Sequence, residues 1–279
     1  MDPIWLNNKV ALVTGSTAGL GKELAFQLGR GGAKVVLNGR DPEKLQRAAA
    51  QAGAYGLETS VVSGDVSDPA DCRKILEHCI ETYGRLDILV NNAGVGSGGS
   101  FERTTPDTFR SVFEVNTLGT IYMTRFALPY LRESGGSVMF ISSLAGLIGL
   151  PFSSLYSGTK MALTAFAQAL QFELMGSGVH VGVAFVGFLK NAPEKRIMGP
   201  DGELQPTGDR SSFRLMPMDR ASRIIIRAIR KRKNRIVMSF LGKWFYFGQR
   251  FTPWLIRLIL VYSLGRARKT YEPVDPVPR

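Results

Sequence analysis

The pattern of apolar residues constrains this chain most. Seven short apolar runs, at 9–14, 34–38, 57–62, 86–91, 137–142, 179–185 and 235–240, alternate with longer segments of helical spacing. Several of the runs contain adjacent Val, Leu or Ile, as strands buried on both faces require. This β–α alternation predicts a parallel sheet with helices on both faces, an α/β domain. Asp41-Pro42 and Asp68-Pro69 each place an N-cap before a proline at the first helical position. The longest helical patterns run over 104–131 and 154–175. Residues 187–218 break the rhythm with repeated Gly and Pro and are expected to form a loop long enough to be functional.

Composition narrows the class. With 279 residues, 44% apolar and 21% charged, the chain can bury a large core without disulfides or metal. Cys72 and Cys79 stand seven apart with no His-rich set nearby, so they read as two reduced cysteines on a helix, and no metal is expected. The net charge of +12 is local: 220–271 holds 14 Lys/Arg and no Asp or Glu. The first residues show neither a basic nor an apolar leader region, so the expected location is cytoplasmic.

After the first strand comes Thr14-Gly15-Ser16-Thr17-Ala18-Gly19-Leu20-Gly21 and then a helix. Glycines there allow a sharp turn and close approach of a phosphate to the free amides of the helix N-terminus. The second strand ends Asn38-Gly39-Arg40-Asp41. A ribose 2′-hydroxyl would want a carboxylate here, but Asp41 has a competing task as an N-cap. Arg40 suits a 2′-phosphate, which favours NADP(H) over NAD(H). Further on, Tyr156 and Lys160 are four apart, on one helix face. An ammonium stabilises phenolate, so such a tyrosine can exchange a proton with a carbonyl or alcohol oxygen near neutral pH. Alone, Tyr-x-x-x-Lys is a common surface pair.

Taken in order, the glycine-rich turn, Asn91-Asn92-Ala93-Gly94, Asn116, Ser142-Ser143 and Tyr156…Lys160 resemble the motifs of the short-chain dehydrogenase/reductase family. The resemblance covers about residues 7–240. It implies a Rossmann-type, doubly wound, seven-stranded parallel sheet, followed here by C-terminal amphipathic helices. With the resemblance placing a catalytic domain within 1–240, the basic, aromatic-rich residues 241–271 read as a helical extension and the proline-rich 272–279 as a flexible tail. By the same resemblance, Tyr156 is the general acid/base, Lys160 lowers its pKa and holds the nicotinamide ribose, Ser143 orients the substrate oxygen, and Asn116 positions a water. Gly15, Gly19 and Gly21, with Ser16, Thr17 and Leu20 in the same turn, fall at the pyrophosphate. Asp65 and Val66 fall at the adenine, Asn92, Ala93 and Gly94 flank the cofactor, and Gly187 keeps the turn after the sixth strand. The family's Pro-Gly at that turn is Val186-Gly187 here, and no Thr follows at the usual place.

The expected substrate wall is apolar: Leu150 and Phe152 before Tyr156, and Phe188, Met198 and Phe213 after the sixth strand. The expected reaction is therefore hydride transfer between NADP(H) and a ketone or secondary alcohol on a hydrophobic, lipid- or steroid-like molecule. Two rivals remain open, a 3-ketoacyl thioester reductase docking an acidic carrier and a non-catalytic NADP(H)-binding scaffold at a membrane. The family's use of long helices implies a homodimer or homotetramer. Lys243, Arg250 and Arg257 recur every seven residues in an aromatic-rich stretch, and Thr252-Pro253 marks a new helix. Contact of 220–271 with an anionic membrane surface, and cover for the pocket or a subunit interface, are both compatible with this. Nucleic-acid binding is not expected, because the basic cluster 230–235 falls at a helix end and the next strand.

Overall fold

The structure is a computed structural model that describes residues 3–190, 195–207 and 215–271. The strands are β1 (Val10–Val13), β2 (Lys34–Gly39), β3 (Thr59–Ser63), β4 (Ile88–Asn91), β5 (Ser137–Ser143), β6 (His180–Val186), β7 (Arg196–Met198), β8 (Leu204–Pro206) and β9 (Arg235–Val237). Seven of them form one parallel sheet in the order β3-β2-β1-β4-β5-β6-β9. The order reverses between β1 and β4, which opens a crevice at their C-terminal ends.

Alternate residues of each strand enter two separate cores. Val10, Leu12, Leu89, Val138, Phe140, Val183 and Phe185 pack on one side, against α3 (Pro69–Tyr83), α5 (Gly119–Ser134) and α6 (Ser154–Glu173). Ala11, Val13, Val90, Met139, Ile141 and Ala184 pack on the other, against α1 (Gly19–Arg30), α2 (Pro42–Ala54) and α7 (Met218–Arg230). Burial on both faces explains why the strands read as continuous apolar runs. Asp41 and Asp68 cap α2 and α3 as expected, accepting from the amides of Lys44 and Ala70. Cys72 and Cys79 are free and buried on α3, and burial, aided by nearby carboxylates, pushes both thiols up to about 12.

Three expectations change. The helix over 104–131 is α4 (Pro106–Phe113) and α5 joined by one π-helical turn, Glu114–Leu118, where Gly119 N–H donates to the carbonyl of Glu114. The segment 187–218 is not all loop: β7 and β8 form an antiparallel hairpin, stitched to the chain after β4 by Met198 N–H donating to Gly96 O over 2.8 Å. The last strand of the sheet stops at Val237, because Ser239 caps α8 (Phe240–Phe251). The last helix, α9 (Pro253–Tyr271), opens at the Thr252-Pro253 signal.

Helix α8 folds back onto the sheet domain. A Cβ on Gly242 would overlap Leu144 Cδ2 and come within 2.8 Å of Val237 Cγ1. The missing side chain thus lets α8 rest on the turn that follows β5. Phe245 of α8, Ile256 of α9 and Ile148 make a small core of their own.

Candidate active site

The crevice is lined first by the turn after β1. Gly15 and Gly19 have φ of +61° and +58°, a conformation that favours glycine. A Cβ on Gly15 would lie 2.9 Å from Ala93 Cα, and one on Gly21 would overlap Asn92 and the Gly15 carbonyl. A Cβ on Gly19 would meet nothing within 4 Å. Gly15 and Gly21 are thus fixed by packing, whereas Gly19 faces open space. The N-cap of α1 is Ala18, which makes no side-chain cap. The end of α1 therefore presents uncapped amides behind an open glycine, which fits a dinucleotide phosphate.

The other polar residues of this turn serve the fold. Ser16 is buried and accepts from Asn38 N–H across 2.9 Å. Thr17 lies against Gly39, and Leu20 packs on the core. Thr14, which the sequence reading passed over, accepts from the amides of Asn92 and Ala93, both at 3.0 Å. The Asn92 side chain donates back to the carbonyls of Thr14 and Gly15. This clasp locks the β1 and β4 ends of the crevice together. A polar residue at a strand end that otherwise reads as fully apolar is the one signal that could have found Thr14.

Arg40 is exposed at the end of β2 and donates to Asp65 across 3.4 Å. Burial raises the Asp65 carboxyl, but hydrogen bonds from the amide and hydroxyl of Ser67, with the Arg40 charge, leave it below its ordinary value. Val66 is buried where Gly119 begins α5.

The residues that the family resemblance assigns to proton transfer stand near the ends of β4 and β5. Asn116 lies within the π-helical turn, completely buried. Its Oδ1 accepts from Val95 N–H at 2.7 Å, and its Nδ2 donates to Val95 O at 2.9 Å and Thr159 Oγ1 at 3.2 Å. The side chain therefore clamps the chain after β4 onto α6. Gly94 closes the gap: a Cβ there would stand 2.9 Å from Asn116 Oδ1 and 3.4 Å from Lys160 Nζ.

Lys160 is buried and donates to the carbonyl of Ile141 at 3.1 Å. Burial, and then the charge of Lys195, pull its ammonium down to about 8. Tyr156 is half-buried one turn earlier on α6, with Lys160 Nζ 5.7 Å from its ring centre. Ser142 is buried and donates to Lys160 O at 3.2 Å, while Ser143 caps the short turn Leu144–Gly146. The two adjacent serines divide their work. Ser142 ties β5 to α6, and Ser143 stands half-buried at the strand end beside that tie.

The expected substrate wall does not form one surface. Phe152, with φ of +56°, and Met198 line a small pocket beside Ser97 and Leu155. Leu150 instead packs with Ile148, Phe245 and Ile256. Phe188 packs against the core while its carbonyl accepts from Met216 N–H, and Gly187 lies close to Ser239. Phe213 and the tail 272–279 lie outside the described residues. Among the described residues, no group of three or more His, Cys, Asp or Glu could hold a metal.

Comparison with known proteins agrees with the fold. Residues 9–198 match the short chain dehydrogenase family. The chain belongs to the short-chain dehydrogenase family. It is accordingly an α/β oxidoreductase of CH–OH groups that uses a nicotinamide cofactor. It is similar to 11-beta-hydroxysteroid dehydrogenase A of Sesamum indicum, with 32% identity over 94% of this chain and 78% of that one. It is 36% identical to versicolorin reductase of Emericella nidulans over 68% of this chain and 72% of that one. It is also 36% identical to 11-beta-hydroxysteroid dehydrogenase 1A of Arabidopsis thaliana, over 78% of this chain but only 63% of that relative's length. A solved short-chain dehydrogenase from Streptomyces avermitilis superposes with a TM-score of 0.76 at 28% identity, covering 94% of this chain and 98% of that one.

Proposed function

We propose that this short-chain dehydrogenase interconverts a ketone and a secondary alcohol on a hydrophobic, lipid- or steroid-like molecule, with preference for NADP(H). The observation that carries this reading is the convergence of Asn116, Gly94 and buried Lys160 behind Tyr156. In the reductive direction the Tyr156 hydroxyl gives its proton to the substrate oxygen, and Ser143 donates a hydrogen bond that orients that oxygen. The Lys160 ammonium favours the phenolate left behind. The cofactor supplies the hydride when bound. Asn116 holds the wall of the site in register, and a water beside it would complete the proton path.

Arg40 is the residue set against a 2′-phosphate. Among the described residues its exposed guanidinium has a long bond to Asp65 to exchange for a charge-assisted pair. The names of the plant and fungal relatives support a bulky apolar substrate.

The reading extends to a cytoplasmic protein that touches membranes at their surface. No described helix is long and apolar enough to cross one. Exposed Phe240, Phe247, Phe251, Trp254 and Leu258, together with Lys243, Arg250 and Arg257, suit insertion at headgroup level. Exposed Met161, Phe166 and Phe172 on α6 suit a homodimer or homotetramer. In this division 1–240 carries the chemistry and 241–271 the attachment.

The test is NADPH oxidation by a panel of ketosteroids and long-chain ketones, with and without Tyr156→Phe. We expect turnover to fall by about 10³-fold or more while NADPH affinity stays within a few-fold. Undiminished turnover in the variant would sink the assignment.

A further inference from the structure

An apolar groove of about 300 Å³ runs between the loop after β5 and the last helix, outside the proton-transfer site. Ile148 and Pro151 form one wall, and Pro253, Ile256, Val261 and Leu264 the other. Its polar margin is Gln249 and Arg257. A volume near 300 Å³ is at the small end for ligand sites, which suits one chain rather than a broad ring system.

We propose that this groove seats one acyl chain of an anionic phospholipid drawn from a bilayer surface, with the headgroup at Arg257. We further propose that the seated chain fixes α9 against the loop joining Ser143 to Tyr156. The inference rests on the membrane reading above and adds a defined lipid site to it.

Three observations carry the choice of occupant. Val261 belongs both to the groove and to the exposed apolar face that includes Phe251, Trp254 and Leu258, so the groove opens onto the surface that would meet lipid. Arg257 is exposed on a segment, 220–271, with 14 basic and no acidic residues, so an anionic headgroup meets a charge without a competing carboxylate there. The aromatic residues beside it match the interfacial depth at which phosphates lie.

The coupling to the site follows from contacts already described. Ile148 shares its small core with Phe245 and Ile256. Gly242 seats α8 on Leu144, the residue after Ser143. At the far end of the loop, Leu150 N–H donates to Ser157 Oγ at 3.2 Å, one residue past Tyr156. A chain held between Ile148 and Val261 therefore bears on both ends of the catalytic loop.

The experiment uses the full chain with vesicles of phosphatidylcholine alone or mixed equally with phosphatidylglycerol. Co-flotation measures membrane attachment, and hydrogen exchange by peptide measures where lipid sits. We expect anionic vesicles to slow exchange about tenfold in both 253–264 and 147–152. Leu264→Trp fills the groove while leaving Phe247, Phe251 and Trp254 in place. It should still co-float but lose the protection of 147–152, with its thermal unfolding showing that it is folded. Protection of 253–264 alone, or equal protection of 147–152 in Leu264→Trp, would overturn the groove while leaving surface attachment standing. Equal effects of phosphatidylcholine vesicles would overturn the anionic headgroup. Protection of 147–152 by dispersed oleate without vesicles would overturn the bilayer as the source. Absence of co-flotation would overturn both membrane attachment and the groove, and NADPH turnover would still report separately on the chemistry.

Discussion

Lys160 points its ammonium at the carbonyl of Ile141, 3.1 Å away, in a position closed to solvent. Burial and the Lys195 charge lower its pKa to about 8, from 10.5. The folded chain therefore sheds this proton at a lower pH than the unfolded chain does. Below pH 8 both states hold it. Between about 8 and 10.5 only the unfolded state does, so stability contributed at this position rises with pH. In denaturant titrations, the unfolding free energy of the native chain should gain on that of Lys160→Met by on the order of 3 kcal/mol across this window. A constant difference between the two would show that the ammonium is better solvated than its surroundings imply.

Gly19 and Gly21 should respond differently to a single methyl group. Gly21→Ala would drive a Cβ into Asn92 and the Gly15 carbonyl, so it should destabilise the fold by roughly 1–3 kcal/mol or more. Gly19→Ala meets open space and bears mainly the strain of φ +58°, about 1–2 kcal/mol. Its larger effect should be on cofactor affinity, because the methyl would project where the phosphates approach. Calorimetric titration with NADPH alongside thermal melts separates the two effects.

Arg40→Ala should leave stability nearly unchanged, since an exposed ion pair such as Arg40–Asp65 contributes roughly 0–1 kcal/mol. It should raise KM for NADPH about 10–100-fold through a lost charged hydrogen bond, with KM for NADH almost unmoved. A parallel change for both cofactors would place the 2′-phosphate elsewhere.

His180 opens β6 at the end of the sheet away from the catalytic ends. Burial and the Arg232 charge hold its imidazole down to about 4. The unfolded chain protonates near 6.5, so this position loses stability as pH falls from about 6.5 to 4 and no further below that. His180→Gln should flatten that part of the acid unfolding curve, which circular dichroism from pH 7 to 4 would reveal.

Most of the sheet was legible because each strand carries its own signal: Val10–Val13 is apolar throughout, and Ile88–Asn91 is apolar at every position but the last. The turn glycines were legible because their conformational need is local. What failed to show in sequence depends on partners far along the chain. Ser16, Thr17 and Ser142 look like any polar turn residues until Asn38, Gly39 and Lys160 are set beside them. The π-helical turn at Asn116 adds one residue per turn without altering the apolar pattern enough to be seen. The hairpin of β7 and β8 is held to residues 96–98, about a hundred positions earlier, rather than by strong strand formers of its own. Leu150 and Phe152 are two residues apart yet face different surroundings, because Phe152 takes a left-handed backbone that turns the chain between them.

Gly242 has no side chain, so the backbone of α8 lies directly against Leu144, the residue that follows Ser143. The last helices and the turn after β5 are therefore mechanically linked, because any bulk gained at 242 is felt at Leu144. Transplanting the C-terminal segment from a relative, or trimming it at 240 to improve handling, would also remove what packs on Leu144 and Ile148 in the loop after β5.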